Sequence, residues 1–141
     1  MGEAALDIVV VDDDDIVPEL VANALAPCAG SYRVLAAEDG AAGLELLRER
    51  RASGPRRPHL VLLDLNMPRM NGMEFLDALR ADPLLRGTVV FVLSTSDTEL
   101  DRARAYDRQV AGYLVKSRQG PQLRELAGLV DAYRKAVLFP G

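Results

Sequence analysis

Leu60-Val61-Leu62-Leu63-Asp64-Leu65-Asn66-Met67-Pro68 runs four apolar residues straight into a single carboxylate. A short apolar run without alternation suits a strand buried on both faces, as in a parallel sheet with helices on each side. Asp64 then stands where that strand ends, and in open α/β sheets ligands and chemistry collect at the carboxyl ends of the strands. Met67-Pro68 and Asn71-Gly72 follow as turn and breaker signals. Taken alone, the stretch equally allows Asp64 to cap the next turn and nothing more. The rest of the chain decides between the two.

Working outward, Ile8-Val9-Val10-Val11 is a second buried strand and ends in Asp12-Asp13-Asp14-Asp15. Val17, Leu20, Val21, Ala24 and Leu25 recur at helical spacing after it, with Pro18 in the permitted first turn. Val34 to Ala37 is a strand closed by Asp39-Gly40, and the helix through Leu44 and Leu47 runs into Arg51. Ser53, Gly54, Pro55 and Pro58 break the chain before the Asp64 strand. Beyond it, Met73, Leu76 and Leu79 share a helix face that stops at Asp82-Pro83. Thr88 to Leu93 is a fourth strand leading into Ser94-Thr95, and a polar helix spans about Thr98 to Asp107. Val110 to Val115 is a fifth strand ending in Lys116, and Leu123, Leu126, Val130, Tyr133 and Val137 line a last helix. Five strands alternating with five helices, joined by right-handed crossovers, predict a doubly wound five-stranded parallel sheet with helices on both faces. The expected order is the flavodoxin-like 2-1-3-4-5, which brings Asp12, Asp13 and Asp64 together and puts Ser94 and Lys116 at the same edge.

The chain has 141 residues, 49% hydrophobic and 27% charged, which fits one soluble globular domain with a sizeable core. A net charge of -4 argues against a dedicated DNA or RNA binder. Arg48, Arg50, Arg51, Arg56 and Arg57 read as a solvated surface loop. Cys28 is the only cysteine, so no internal disulfide can form and a reducing, cytoplasmic setting is expected. No apolar run approaches the ~20 residues of a membrane span. His59 is the only histidine, which excludes multi-histidine metal sites.

Four of the five strands now end in a polar or charged group, which favours a functional Asp64. Asp14 and Asp15 fit a helix-capping turn better than a site. Asp12, Asp13 and Asp64 form an acidic pocket whose mutual repulsion a divalent cation would relieve, and all-oxygen ligation suits Mg²⁺. A carboxylate acting as nucleophile can take a phosphoryl group as an acyl phosphate. Lys116 could pair with that phosphate and the Ser94 hydroxyl could hydrogen-bond to it. The plainer readings are a snorkelling surface lysine and a strand-end hydroxyl in a turn.

Val11-Asp12-Asp13, Leu63-Asp64-Leu65-Asn66-Met67-Pro68, Asn71-Gly72, Leu93-Ser94 and Tyr113-Leu114-Val115-Lys116 together resemble the receiver domain of bacterial two-component response regulators. Five motifs in the right order cover residues 6–139, which reads as a single receiver domain with no output domain. The resemblance implies that Asp64 is the phospho-acceptor. It implies that Asp12 and Asp13 are the acidic pair, with Asp13 the direct metal ligand. Asn66 takes the position that lends a backbone carbonyl to the metal, Ser94 the hydroxyl position, Lys116 the phosphate-pairing lysine and Tyr113 the switch aromatic. Thr95 stands beside Ser94 and competes for the hydroxyl role. Ser117 departs from the proline usual after the lysine, so a cis bond there is not presumed. The long loop from Ser53 to Pro58 is similar to that of stand-alone receivers that work with bacterial phytochrome kinases.

The function implied is a single-domain response regulator, phosphorylated on Asp64 by a separate sensor histidine kinase, with a phytochrome as the narrower expectation. Output would pass through the fourth helix, fifth strand and fifth helix, the surface that also suits a homodimer with Leu138 and Phe139 against the partner. The same two residues could instead fold back onto their own domain. Two other functions compete: a small phosphohydrolase with an aspartyl nucleophile, and a phosphate-independent interaction module. Against the first, Asn66 occupies the place where such enzymes often carry a second carboxylate, so the chain is expected not to be an enzyme. The acidic pocket stands against the second.

Overall fold

Apolar β-branched runs form the sheet, and amphipathic segments between them cover it. The computed structural model describes residues 5–53 and 57–140. In chain order they form β1 (Ala5–Val11), α1 (Ile16–Leu25), β2 (Ser31–Ala37), α2 (Gly40–Ala52), β3 (His59–Leu63), α3 (Gly72–Ala81), β4 (Val89–Ser94), α4 (Glu99–Asp107), β5 (Gly112–Val115) and α5 (Arg124–Ala136). The strands are parallel in the order β2-β1-β3-β4-β5, the order expected from the alternation of strands and helices.

Period-two alternation sorts the strand side chains onto two cores. Val9, Val11, Val61, Leu63, Val90 and Val92 pack with Leu44 and Leu47 of α2, Phe75, Leu76 and Leu79 of α3, and Ala105 of α4. Ile8, Val10, Leu60, Leu62, Phe91 and Leu93 pack on the other face with Val17, Val21 and Leu25 of α1 and Leu126, Ala127 and Val130 of α5. Among the described residues no helix is long and apolar enough to cross a membrane.

Several boundaries differ from the periodicity. Leu20 is exposed rather than inward, because a four-residue step already places Val17, Val21 and Leu25 on the sheet. β5 starts at Gly112: Gln109 takes a left-handed φ of 59° after α4, and Val110 is buried as a loop residue. α5 starts at Arg124, since Gln122 and Leu123 also have positive φ, so Leu123 and Val137 flank the helix instead of lying within its stripe. Gly54 to Arg56, part of the long loop, lie outside the described residues.

The solvated-loop reading of the arginines fails at three positions. Arg48, Arg50 and Arg51 lie on α2, not in a loop. Asp7 interrupts the apolar run of β1 and is fully buried, and its carboxylate accepts from Arg33 (2.9 Å), Arg50 (2.6 Å) and Arg57 (3.0 Å). Burial alone would raise the Asp7 pKa, but the hydrogen bonds of Arg33 and Arg50 and the charges of Arg50 and Arg57 outweigh it and lower it. A buried carboxylate without such partners would cost several kcal/mol.

Candidate functional site

Strand register builds the site. Val11 pairs with Leu63, so the chain leaves β1 and β3 side by side, and the Asp64 amide donates to the Val11 carbonyl at 2.9 Å. Asp12 and Asp64 are both buried, whereas Asp13 is exposed. One carboxylate oxygen from each of Asp12, Asp13 and Asp64 lies within 4.8 Å of the others. Asp12 is held from two sides: its Oδ1 accepts from the Asp14 amide and its Oδ2 from Lys116 Nζ, both at 2.9 Å. Asp64 Oδ1 accepts from the Asn66 amide at 3.3 Å. Burial is the main cause that raises the Asp64 pKa, and the Asp12 charge adds to it; Lys116 and the Asn66 amide act against them. Three clustered oxygens with one pKa raised form a donor set that fits a hard divalent cation.

Asp12, Asp13, Asp64 and Lys116 are thus brought together, but Lys116 is paired with Asp12 and not with Asp64. Lys116 sits in a 3₁₀ turn after β5, and the bond to Ser117 is trans. Ser94 ends β4 fully buried, with its Oγ accepting from the Ser96 amide at 3.3 Å, while Thr95 is exposed. Tyr113 already lies half-buried against the core, and its hydroxyl donates to the Ser96 carbonyl at 3.0 Å. Asn66 is exposed. Asp14 caps as expected, its carboxylate accepting from the Ile16 amide at 3.1 Å, but Asp15 makes no side-chain cap.

The loop after β3 is fixed by residues whose role the sequence reading missed. Asn71 is not a turn residue but the N-cap of α3, in a reciprocal capping box with Glu74; the Asn-x-x-Glu spacing carried that signal. Gly72 is needed for close approach: a Cβ there would stand 2.7 Å from the Asp64 carbonyl and 2.7 Å from Leu65 Cα. Arg69, with a left-handed φ of 64°, reaches Asp39, the N-cap of α2, at 2.5 Å.

Comparison with known proteins follows the same lines. The sequence profile of the response regulator receiver domain matches residues 8–127. Response regulator Rcp1 of Synechocystis is 31% identical over 135 residues, covering 94% of this chain and 92% of Rcp1. The structure of the phosphorylated cyanobacterial phytochrome response regulator RcpA is similar with a TM-score of 0.84 and 33% identity, over 98% of this chain and 100% of that one. The Mn(2+)-bound form of Rcp1 has a TM-score of 0.81 and 32% identity, over 96% of this chain and 99% of Rcp1.

Proposed function

The chain belongs to the response regulator receiver domain family, and from that premise we propose that it accepts a phosphoryl group on Asp64 from a sensor histidine kinase. The observation that carries this reading is the buried Asp64 carboxylate at the end of β3, with Asp12 and Asp13 oxygens within 4.8 Å and Lys116 held on Asp12. A carboxylate oxygen of Asp64 attacks phosphorus, the phosphorus–nitrogen bond of the kinase's phosphohistidine breaks, and the leaving imidazole takes a proton. Lys116 would exchange Asp12 for the new phosphate charge, about −1.5 to −2 in the general case. Of the two hydroxyls, Ser94 stands at the strand end and is our choice over Thr95. The similarity to the cyanobacterial phytochrome response regulator RcpA supports a phytochrome as the kinase.

Asp12, Asp13 and Asp64, with the backbone carbonyl of Asn66, would hold Mg²⁺. When bound, the ion neutralises charge on the transferring oxygens. We expect no turnover of phosphate esters, Asn66 leaving no second carboxylate to act as general acid, and a cytoplasmic protein working through protein contacts. Acetyl phosphate should label the wild type and not Asp64→Asn, and excess chelator should abolish labelling. Wild-type labelling of the variant would move the acceptor elsewhere, to Asp12 or Asp13 first.

The output face, α4, β5 and α5, is also proposed as a homodimer surface. Phe139 packs edge-on against its own Tyr133 at 5.6 Å, whereas Leu138 is 98% exposed. With the exposed Leu100 and Tyr106 of α4, Leu138 adds to several uncovered apolar side chains that a second copy could bury. Sedimentation at micromolar concentration should show a dimer that Leu138→Asp weakens, because this change leaves the Phe139 contact in place. A wild type that stays monomeric, with or without phosphorylation, refutes it.

A further inference from the structure

Arg80, on α3, has no part in the phosphoryl chemistry above, yet its guanidinium makes four hydrogen bonds to main-chain carbonyls. Nε donates to Arg108 O and Nη2 to Gln109 O, both at 2.9 Å. Nη1 donates to Arg86 O at 2.7 Å and Thr88 O at 2.8 Å. The first pair belongs to the C-terminal end of α4, where Arg108 is the C-cap. The last carbonyls of a helix lack intrahelical partners and carry its negative dipole end, so a planar cation there satisfies both needs. The second pair belongs to the connection from α3 to β4. One side chain therefore ties the base of α4 to α3 and to the start of β4.

The other ties of α4 are distributed unevenly. Arg108 Nε donates to Asp77 Oδ1 of α3 at 2.8 Å, again at the C-terminal end. Ala105, one turn from that end, is the buried residue of the helix. The N-terminal half has no buried residue, and Leu100 is 59% exposed. Its links run through Ser96: Oγ donates to Asp101 at 2.6 Å, and the carbonyl accepts from Tyr113. Ser96 lies two residues beyond Ser94, at the edge that holds the acidic pocket. One end of α4 is thus clamped to the scaffold and the other is linked to the site.

We infer that Arg80 is a positioning residue that pins the C-terminal end of α4, so that phosphorylation swings the N-terminal half about this clamp. The inference rests on the reading of α4, β5 and α5 as the output face. Removal of a clamp that holds otherwise unpaired carbonyls should loosen local structure, which amide exchange reads directly.

The test is hydrogen–deuterium exchange on the full chain, wild type, Arg80→Gln and Arg80→Lys, with and without acetyl phosphate and Mg²⁺. Exchange in β1 serves as the measure of global stability, and labelling of Asp64 should be unaffected in both variants. In the wild type, phosphorylation should change exchange over residues 96–104 and leave 105–111 as they were. In Arg80→Gln, residues 105–111 should exchange about tenfold faster even without phosphate, and the phosphate response should spread into them. Arg80→Lys keeps the charge without the planar fork, so it should fall between the two; it carries the same comparison if the glutamine variant does not fold. Unchanged protection of 105–111 in the variants overturns the clamp. An equal phosphate response at both ends of wild-type α4 overturns the swing. A labelled wild type without any change over 96–116 instead overturns the output-face reading, and the swing with it.

Discussion

As the pH falls from 6.5 towards 4, His59 should be a main source of acid destabilisation, with carboxylates of lowered pKa such as Asp7 losing their contribution at lower pH. The ring starts β3 in a half-buried position, its Nε2 has no hydrogen-bond partner among the described residues, and it lines the hollow beneath the C-terminal segment. Burial, then the charge of Arg50, push its pKa down from 6.5 to about 4, with Asp7 pulling the other way. The folded state therefore refuses a proton that the unfolded chain accepts below about 6.5. Between these values the unfolded state binds more protons, so stability is present above pH 6.5 and is lost as the pH falls towards 4. Each pH unit carries about 1.36 kcal/mol, so the gap amounts to about 3 kcal/mol, and solvent screening of the half-exposed ring lowers this towards about 2. Such a loss is a sizeable part of the 5–15 kcal/mol typical of a domain. Asp64, with its raised pKa, works in the opposite sense, so the wild-type slope alone does not isolate the histidine. The comparison is with His59→Asn, whose amide nitrogen can keep the ring's hydrogen bond to the Arg57 backbone. Urea unfolding at pH 7.5, 6.5, 5.5 and 4.5 should show wild-type stability falling more steeply than that of the variant. As His59 is the only histidine, a single imidazole resonance reports its titration. An imidazole titrating near 6.5 in the folded protein, or parallel slopes for the two proteins, would refute the reasoning.

Gly72→Ala should cost about 1–3 kcal/mol and slow the labelling of Asp64, because its Cβ would displace the Asp64 carbonyl and Leu65; unfolding curves and acetyl phosphate kinetics measure both. Tyr32 donates to Asp131 and receives Arg134 Nε at 2.9 Å, and burial first, then Asp131, push its pKa up to about 12. The unfolded chain releases that proton near 10, so this contribution is whole below pH 10 and is lost between 10 and 12. Tyr32→Phe should flatten the alkaline loss in stability, as followed by circular dichroism.

The apolar runs, their alternation with amphipathic segments and the acids at the strand ends are local patterns, and the sequence alone determined from them the number, type and order of elements. The clustering of Asp12, Asp13 and Asp64 followed, since a parallel sheet in that order must place the ends of β1 and β3 together. Tertiary structure alone decided what depends on residues far apart in the chain. Asp7 reads as a blemish in a strand until Arg33 of β2, Arg50 of α2 and Arg57 of the loop before β3 arrive. Lys116 was legible as a cation near a phosphate, but only the fold shows it paired with Asp12, at the end of the more distant strand, rather than with Asp64. Asn71-Gly72 carries a turn signature, yet its glycine is required by the closeness of another loop, a distance that no periodicity encodes. Arg80 has no sequence signature at all, because its partners are main-chain carbonyls, which every residue has, and only the fold determines which of them converge.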